Sequence, residues 1–209
     1  MKRVLQIFMM FLLVTGLTAC TAGSEARSAE ERSSAKEEEK EPEEKPAEEE
    51  PQEKVLVVYF SATGTTKDIA EKIAKIEAAD LYEIKAAQEY SEADLNWHDS
   101  SSRTTLEQND ASVRPEIGSE AVSLEGYTRI YIGYPIWWGE EPRIMDTFAE
   151  AYDFSGITMI PFCTSSSSGL GRSGKNLEER AGSGSWLEGK RFSAGTAEDD
   201  IRAWIESIQ

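Results

Sequence analysis

Residues 55–66, which read VLVVYFSATGTT, decide the fold of this chain. The first six are apolar or aromatic and rich in β-branched side chains, which favours a strand buried on both faces. Small hydroxyl residues and one glycine follow, and residues 67–76 then place isoleucines and alanines at helical spacing. The stretch therefore predicts a strand, a tight loop and the start of a helix.

The loop of this unit is chemically suited to a phosphate group. The N-terminus of a helix gathers unpaired backbone N–H groups and the positive end of the helix dipole. Hydroxyl side chains add further donors around Gly64. We therefore predict that a phosphate binds here, and the hydroxyl residues involved are Ser61, Thr63, Thr65 and Thr66.

The first 20 residues have the pattern of an export leader. Lys2 and Arg3 precede an apolar run that is short for a membrane span of about 20 residues. Residues 17–20 read LTAC, which resembles the lipobox of bacterial lipoproteins. The resemblance implies a signal peptide over residues 1–20, lipidation of Cys20, and an extracytoplasmic protein held at the bacterial cell membrane by its lipid. An ordinary cleaved signal or a simple anchor is the alternative.

Residues 21–54 are rich in Glu and almost free of large apolar side chains. Such a segment buries too little apolar surface to fold, so we expect a disordered, solvated tether. The chain carries a net charge of −17, and residues 55–209 remain strongly acidic without the leader and the tether. This charge argues against a nucleic-acid partner, because binding to phosphates needs Lys and Arg. It suits a partner protein with a basic docking surface.

The chain has two cysteines and one histidine. With Cys20 lipidated, Cys163 has no partner for an intramolecular disulfide, and its apolar surroundings in the sequence predict a packed structural thiol. The lone His98 does not indicate a metal site. No Ser/His/Asp or Cys/His set is recognisable, so we assign no catalytic residue.

Apolar strand patterns and helical patterns alternate through the rest of the chain. This alternation predicts an α/β fold, a parallel sheet covered by helices on both faces. The second strand, near residues 80–87, is expected to bury Leu81 and Ile84. A long polar run over residues 88–123 is expected to cross the surface as an ordered loop, with a short helix near residues 104–109.

Three loops follow the predicted strand ends, where such sheets bind ligands. They are residues 61–66, 135–139 and 164–171. The second carries Trp137 and Trp138, whose rings are suited to stacking on a flat ligand, although packing in the core is the alternative for them. The three loops together predict a ligand with a phosphate at one end and a flat ring at the other.

These loops resemble those of the flavodoxin family. The matching runs are SATGTT at 61–66, GYPIWWG at 133–139 and PFCTSSSSG at 161–169, and DLNW at 94–97 and RPEI at 114–117 resemble a flavodoxin-like subfamily. The resemblance covers residues 55–209 and implies a three-layer α/β/α sandwich with a five-stranded parallel sheet of order 2-1-3-4-5. It also implies noncovalent FMN. The implied FMN-binding residues are Ser61, Thr63, Gly64, Thr65, Thr66, Pro135, Ile136, Trp137, Trp138, Gly139, Thr164, Ser165, Ser166 and Gly169.

One departure from the family bears on function. Electron-carrying flavodoxins usually place an aromatic residue in the third loop against the outer face of the flavin, and residues 164–171 contain none. That face is then more open, or is covered by Trp97, Trp137 or Trp138. The resemblance implies a membrane-anchored electron-transfer protein. The alternatives are an FMN-dependent reductase of quinones or nitro compounds, and a flavin-free binding module with the same fold.

Overall fold

The computed structural model describes residues 53–209, and the predicted signal peptide, Cys20 and nearly all of the predicted tether lie outside them. The strands are β1 (Lys54–Phe60), β2 (Asp80–Ile84), β3 (Tyr127–Pro135), β4 (Thr158–Thr164), β5 (Ser185–Trp186) and β6 (Lys190–Phe192). The helices are α1 (Thr65–Glu77), α2 (Arg103–Asn109), α3 (Arg143–Ala151), α4 (Ser173–Ala181) and α5 (Glu198–Ser207). Within residues 53–209, no helix is long and apolar enough to cross a membrane.

The strands form one parallel sheet in the order β2-β1-β3-β4-β5. This order confirms the predicted fold class. The fifth position is divided, because β5 pairs with the start of β4 and β6 pairs with its end. Two residues are too short for β5 to show a strand pattern in the sequence.

Alternate residues of β1 pack into two apolar clusters, one on each face of the sheet. Leu56, Val58 and Phe60 belong to the cluster that α3 and α4 cover, and the intervening residues belong to the cluster that α1 and α5 cover. Cys163 is free and fully buried, as predicted, and burial raises the pKa of its thiol to about 12. This thiol is therefore protonated and unreactive at neutral pH.

The expectation for β2 is half right. Ile84 is buried, but Leu81 is 43% exposed. The cause is the position of β2 at the edge of the sheet, where it pairs only with β1. A strand at that position needs fewer apolar side chains than a central one.

Residues 85–126 connect β2 to β3, and we call them the crossover. Helix α2 lies within it and begins at a Ser102 cap, whose Oγ accepts a hydrogen bond from the Thr105 N–H at 3.4 Å. Glu107 accepts hydrogen bonds from Arg103 Nε at 2.7 Å and from the Tyr90 hydroxyl at 2.8 Å. These bonds hold the polar run in one arrangement, as predicted for an ordered loop.

Candidate functional site

A cavity of about 320 Å³ lies beyond the carboxyl ends of β1 and β3. Three segments line it: the loop after β1, the residues that follow β3, and the crossover. The position agrees with the general rule that parallel sheets bind ligands beyond the carboxyl ends of their strands. From the first two segments, the lining residues are Ala62, Thr63, Thr66, Pro135, Ile136, Trp137 and Trp138.

The loop after β1 presents an uncapped helix to this cavity. Gly64 precedes α1 with a left-handed backbone (φ 86°), and no side chain caps the first turn of the helix. Ser61 Oγ accepts a hydrogen bond from the Gly64 N–H at 3.1 Å, which fixes the shape of the loop. The N-terminal end of α1 therefore offers its backbone donors and its positive dipole to an anion.

Thr66 connects this loop to the end of β4. Its Oγ1 lies 2.8 Å from Thr164 Oγ1 in a buried hydrogen bond. Both side chains are buried. Thr164, a predicted residue of the third loop, therefore helps to hold the phosphate loop in place.

The residues after β3 form a tight hairpin over residues 137–140, which we call the ring hairpin. Trp137 and Glu140 exchange both backbone hydrogen bonds, at 2.9 and 3.0 Å. Trp138 and Gly139 between them have φ of 50° and 86°, which is the pattern of a type I′ turn. A left-handed backbone is rare for a residue as bulky as Trp138, and such conformations cluster at ligand sites.

The two tryptophans have different surroundings. Trp137 packs edge-on against Phe60 and Tyr90, with ring centroids 5.6 and 5.3 Å apart, and still lines the cavity. Trp138, at the tip of the ring hairpin, is 46% exposed. Core packing therefore explains some of the contacts of Trp137. It does not explain the exposed position of Trp138.

The crossover supplies the third side of the cavity, with Leu95, Trp97 and Thr104. Trp97 is 67% exposed and stacks on His98. Trp97 was named from the sequence as a cover for a flat ring, whereas Leu95 and Thr104 were missed. The sequence signals for this side were the tryptophan in a polar run and the DLNW resemblance at 94–97.

The third loop lies beside the cavity. Arg191 Nη2 donates to the carbonyl oxygens of Ser165 and Ser166, both at 2.7 Å, so these carbonyls point toward β6. The cavity lining includes no residue of this loop. Of the predicted FMN-binding residues, those outside the lining are Ser61, Gly64, Thr65, Gly139, Thr164, Ser165, Ser166 and Gly169.

A family model described as flavodoxin matches residues 54–208. This chain belongs to the flavodoxin family. Comparison with curated proteins found no match. The family prediction made from the loops is thus confirmed.

Solved structures place this flavodoxin among flavoproteins. A proposed flavoprotein from Bacteroides uniformis is 43% identical, with a TM-score of 0.70, over 74% of this chain and 98% of the other. One from Bacteroides eggerthii is 44% identical, with a TM-score of 0.69, over 74% and 97%. A flavoprotein from Lactobacillus acidophilus, solved in complex with FMN, is 22% identical with a TM-score of 0.57, over 73% and 99%, and shows the shared fold.

Two buried carboxyl groups lie behind the ring hairpin of this flavodoxin. Burial raises the pKa of Glu141 to about 7, and Asn176 Nδ2 donates to its Oε2 at 3.1 Å. Asp146 is fully buried, which raises its pKa as well, although Arg143 Nη1 lies 3.5 Å from its Oδ2. Between pH 4.5 and about 7, the folded protein therefore retains a proton here that the unfolded chain has released.

We predict that this proton makes stability depend on pH. Because the pKa of Glu141 rises from 4.5 to about 7 on folding, its contribution to stability is complete below pH 4.5 and is lost as pH rises through 7. The loss is at most about 1.4 kcal/mol per pH unit in that window. The measurement is urea unfolding of wild type and Glu141→Gln from pH 4.5 to 8.

Glutamine at this position is neutral at every pH and keeps an oxygen for Asn176. As pH rises, the free energy of unfolding of Glu141→Gln should therefore increase relative to that of wild type. Titration of carboxylates that do not interact with Glu141 cancels in the difference, whereas that of neighbouring Asp146 does not. A difference that is constant across the range would show that Glu141 has an ordinary pKa.

Proposed function

We propose that this domain binds FMN noncovalently in the cavity and carries electrons. The observation that supports it most is the cavity itself, which joins an uncapped helix N-terminus at one end to two tryptophans at the other. FMN has a phosphate and a flat isoalloxazine ring at matching ends. The FMN complex of the Lactobacillus acidophilus flavoprotein, which shares this fold, supports the same cofactor.

In this proposal the chain binds and orients the cofactor. Ser61 and residues 63–66 hold the phosphate through hydroxyl groups and backbone donors, with no basic side chain in that loop. Residues 135–139 lie along the ring, and Thr164, Ser165, Ser166 and Gly169 lie toward its polar edge. FMN supplies the redox chemistry when bound, and the protein supplies placement and electrostatics.

The acidic charge of the protein favours the role of a carrier. The net charge is −17 and the pI is about 4.5. Such a field disfavours a further negative charge on the reduced ring, so it lowers the reduction potential of bound FMN. The same field attracts and orients a redox partner with a basic surface.

The test is direct electron transfer from the reduced protein. FMN is added to the purified protein, which should shift the visible flavin bands and quench the flavin fluorescence. The complex is then photoreduced without oxygen and mixed with ferric cytochrome c, a basic haem protein. We expect rapid reduction of the haem, at a rate that falls steeply as salt is added.

A reductase is the second candidate, and one observation favours it. The third loop has no aromatic residue, and Trp97 and Trp138 at the rim of the cavity are largely exposed. A small quinone or nitro compound would then reach the ring. Sustained NADPH oxidation in the presence of menadione would support the reductase and contradict the carrier. A folded protein that leaves the FMN spectrum unchanged would favour a flavin-free binding module.

We also propose that the domain is held outside the cytoplasm at the cell membrane. This proposal rests on the lipobox-like run that ends at Cys20 and on the Glu-rich residues 21–54. A lipid on Cys20 would fix the chain at the membrane, and the tether would keep the domain at a distance from it.

A further inference from the structure

We propose that Gln108 is a positioning residue for the ring hairpin and thereby for the flavin ring. Gln108 lies in α2 and does not line the cavity. It acts on the cofactor through the backbone on either side of Trp138 and Gly139. The proposal rests on the FMN binding proposed above.

The amide of Gln108 bridges the first residue of the ring hairpin and the residue that follows its last. Its Nε2 donates to the carbonyl oxygen of Trp137 at 3.1 Å and to that of Glu141 at 3.2 Å. Both partners only accept hydrogen bonds, so the chemistry fixes which amide atom faces them. One side chain thus joins the residue before the turn to a residue just after it.

Gln108 is itself held in place. Arg143 Nη2 donates to the Gln108 carbonyl oxygen at 3.1 Å and to Glu140 Oε2 at 2.9 Å, so α3 fixes both α2 and the ring hairpin. One turn earlier in α2, Thr104 lines the cavity. Helix α2 is therefore one element that forms a wall of the cavity and also sets the position of the ring hairpin.

The ring hairpin needs this support. Its turn carries the left-handed Trp138, a conformation that persists only where the surroundings enforce it. Before the turn, the Ile136 N–H donates to the Thr164 carbonyl oxygen at 3.0 Å. After the turn, the Gln108 amide supplies the bond to the backbone of Glu141, which lies two residues before α3.

The Gln108 side chain also carries a buried oxygen that lowers the stability of the protein. Within residues 53–209, Gln108 Oε1 is buried without a hydrogen-bond partner. A buried unpaired oxygen is destabilising, and an apolar side chain of the same shape would avoid it. The two bonds that the amide does form both go to backbone carbonyls beside the turn of the ring hairpin.

The test compares Gln108→Met, which keeps the length and removes both donors, with wild type. Gln88→Met is the matched control, because Gln88 is exposed and lies outside the cavity lining. Three quantities are measured: the Kd for FMN, the visible circular dichroism of bound flavin, and hydrogen exchange of the Trp137 and Glu140 N–H groups without FMN. Gln108→Glu is a second variant that keeps the shape and has no donor when it is ionised.

For both Gln108 variants we expect about tenfold weaker FMN binding, an altered flavin circular dichroism spectrum, and faster exchange in the ring hairpin. Gln88→Met should match wild type in all three. A purely structural role would lower the melting temperature without changing the flavin spectrum. Gln108 variants that bind FMN with wild-type affinity and spectrum would overturn the proposal.

The outcome for Gln108 is distinguishable from the outcome for the cofactor. If wild-type protein fails to bind FMN, the proposed function is wrong, and the variants cannot be compared by their FMN affinity. The exchange measurement needs no FMN, so unchanged exchange in Gln108→Met would then overturn the positioning role by itself.

Discussion

Replacing Thr63, Thr65 and Thr66 together by alanine is expected to weaken FMN binding by at least about 1,000-fold. Hydrogen bonds to a charged group contribute about 1.5–3 kcal/mol each, and three of them together correspond to three or more decades in Kd. The loop has no Lys or Arg to compensate. Fluorescence titration with FMN measures the loss.

The fold should survive this change. Thr63 lines the cavity, and within residues 53–209 the Thr66 hydroxyl bonds to Thr164, a bond whose loss costs about 1 kcal/mol. Thr128→Ala is the control, since Thr128 is exposed near the opposite end of β3. A folded triple variant that binds FMN as tightly as Thr128→Ala would show that the phosphate does not bind in this loop.

Replacing Gly133 by alanine is expected to lower the stability of the protein substantially. A Cβ at Gly133 would lie 2.0 Å from Phe162 Cζ and 2.4 Å from Cε2, so the ring must move within a packed cluster. Overpacking of this kind typically costs about 1–3 kcal/mol. The melting temperature should fall by roughly 2–12 °C.

The neighbouring ring supplies the control for this prediction. Phe162→Leu removes the atoms that collide, so the double variant Gly133→Ala/Phe162→Leu should be more stable than the sum of the two single effects implies. Thermal unfolding of the four proteins gives the coupling. Strictly additive effects would show that the strand relieves the contact by shifting, without involving Phe162.

The sequence predicted most of the sheet and two of the three segments that line the cavity. Residues 55–60 are apolar without alternation, which is the pattern of a strand buried on both faces, and the following glycine and hydroxyl residues mark a helix start. The loop over residues 135–139 was recognisable from the paired tryptophans before Gly139, but its hairpin form was not. These signals are local, so periodicity and residue type reveal them.

The third side of the cavity depends on contacts between distant segments. Leu95 and Thr104 lie in a polar run, and only the folding of the crossover over the ring hairpin brings them to the cavity. Gln108 is similar, since its partners are about 30 residues away. The exposure of Leu81 has the same origin, because nothing local tells an edge strand from a central one.

The most direct test of the phosphate-loop account is to titrate the purified protein with FMN and with riboflavin. The two ligands share the ring and differ by the phosphate, so the ratio of their Kd values isolates the contribution of residues 61–66. We predict that FMN binds at least about 100-fold more tightly than riboflavin, since several charge-assisted bonds are involved. Equal affinity for the two ligands, or no binding of either, would contradict the account.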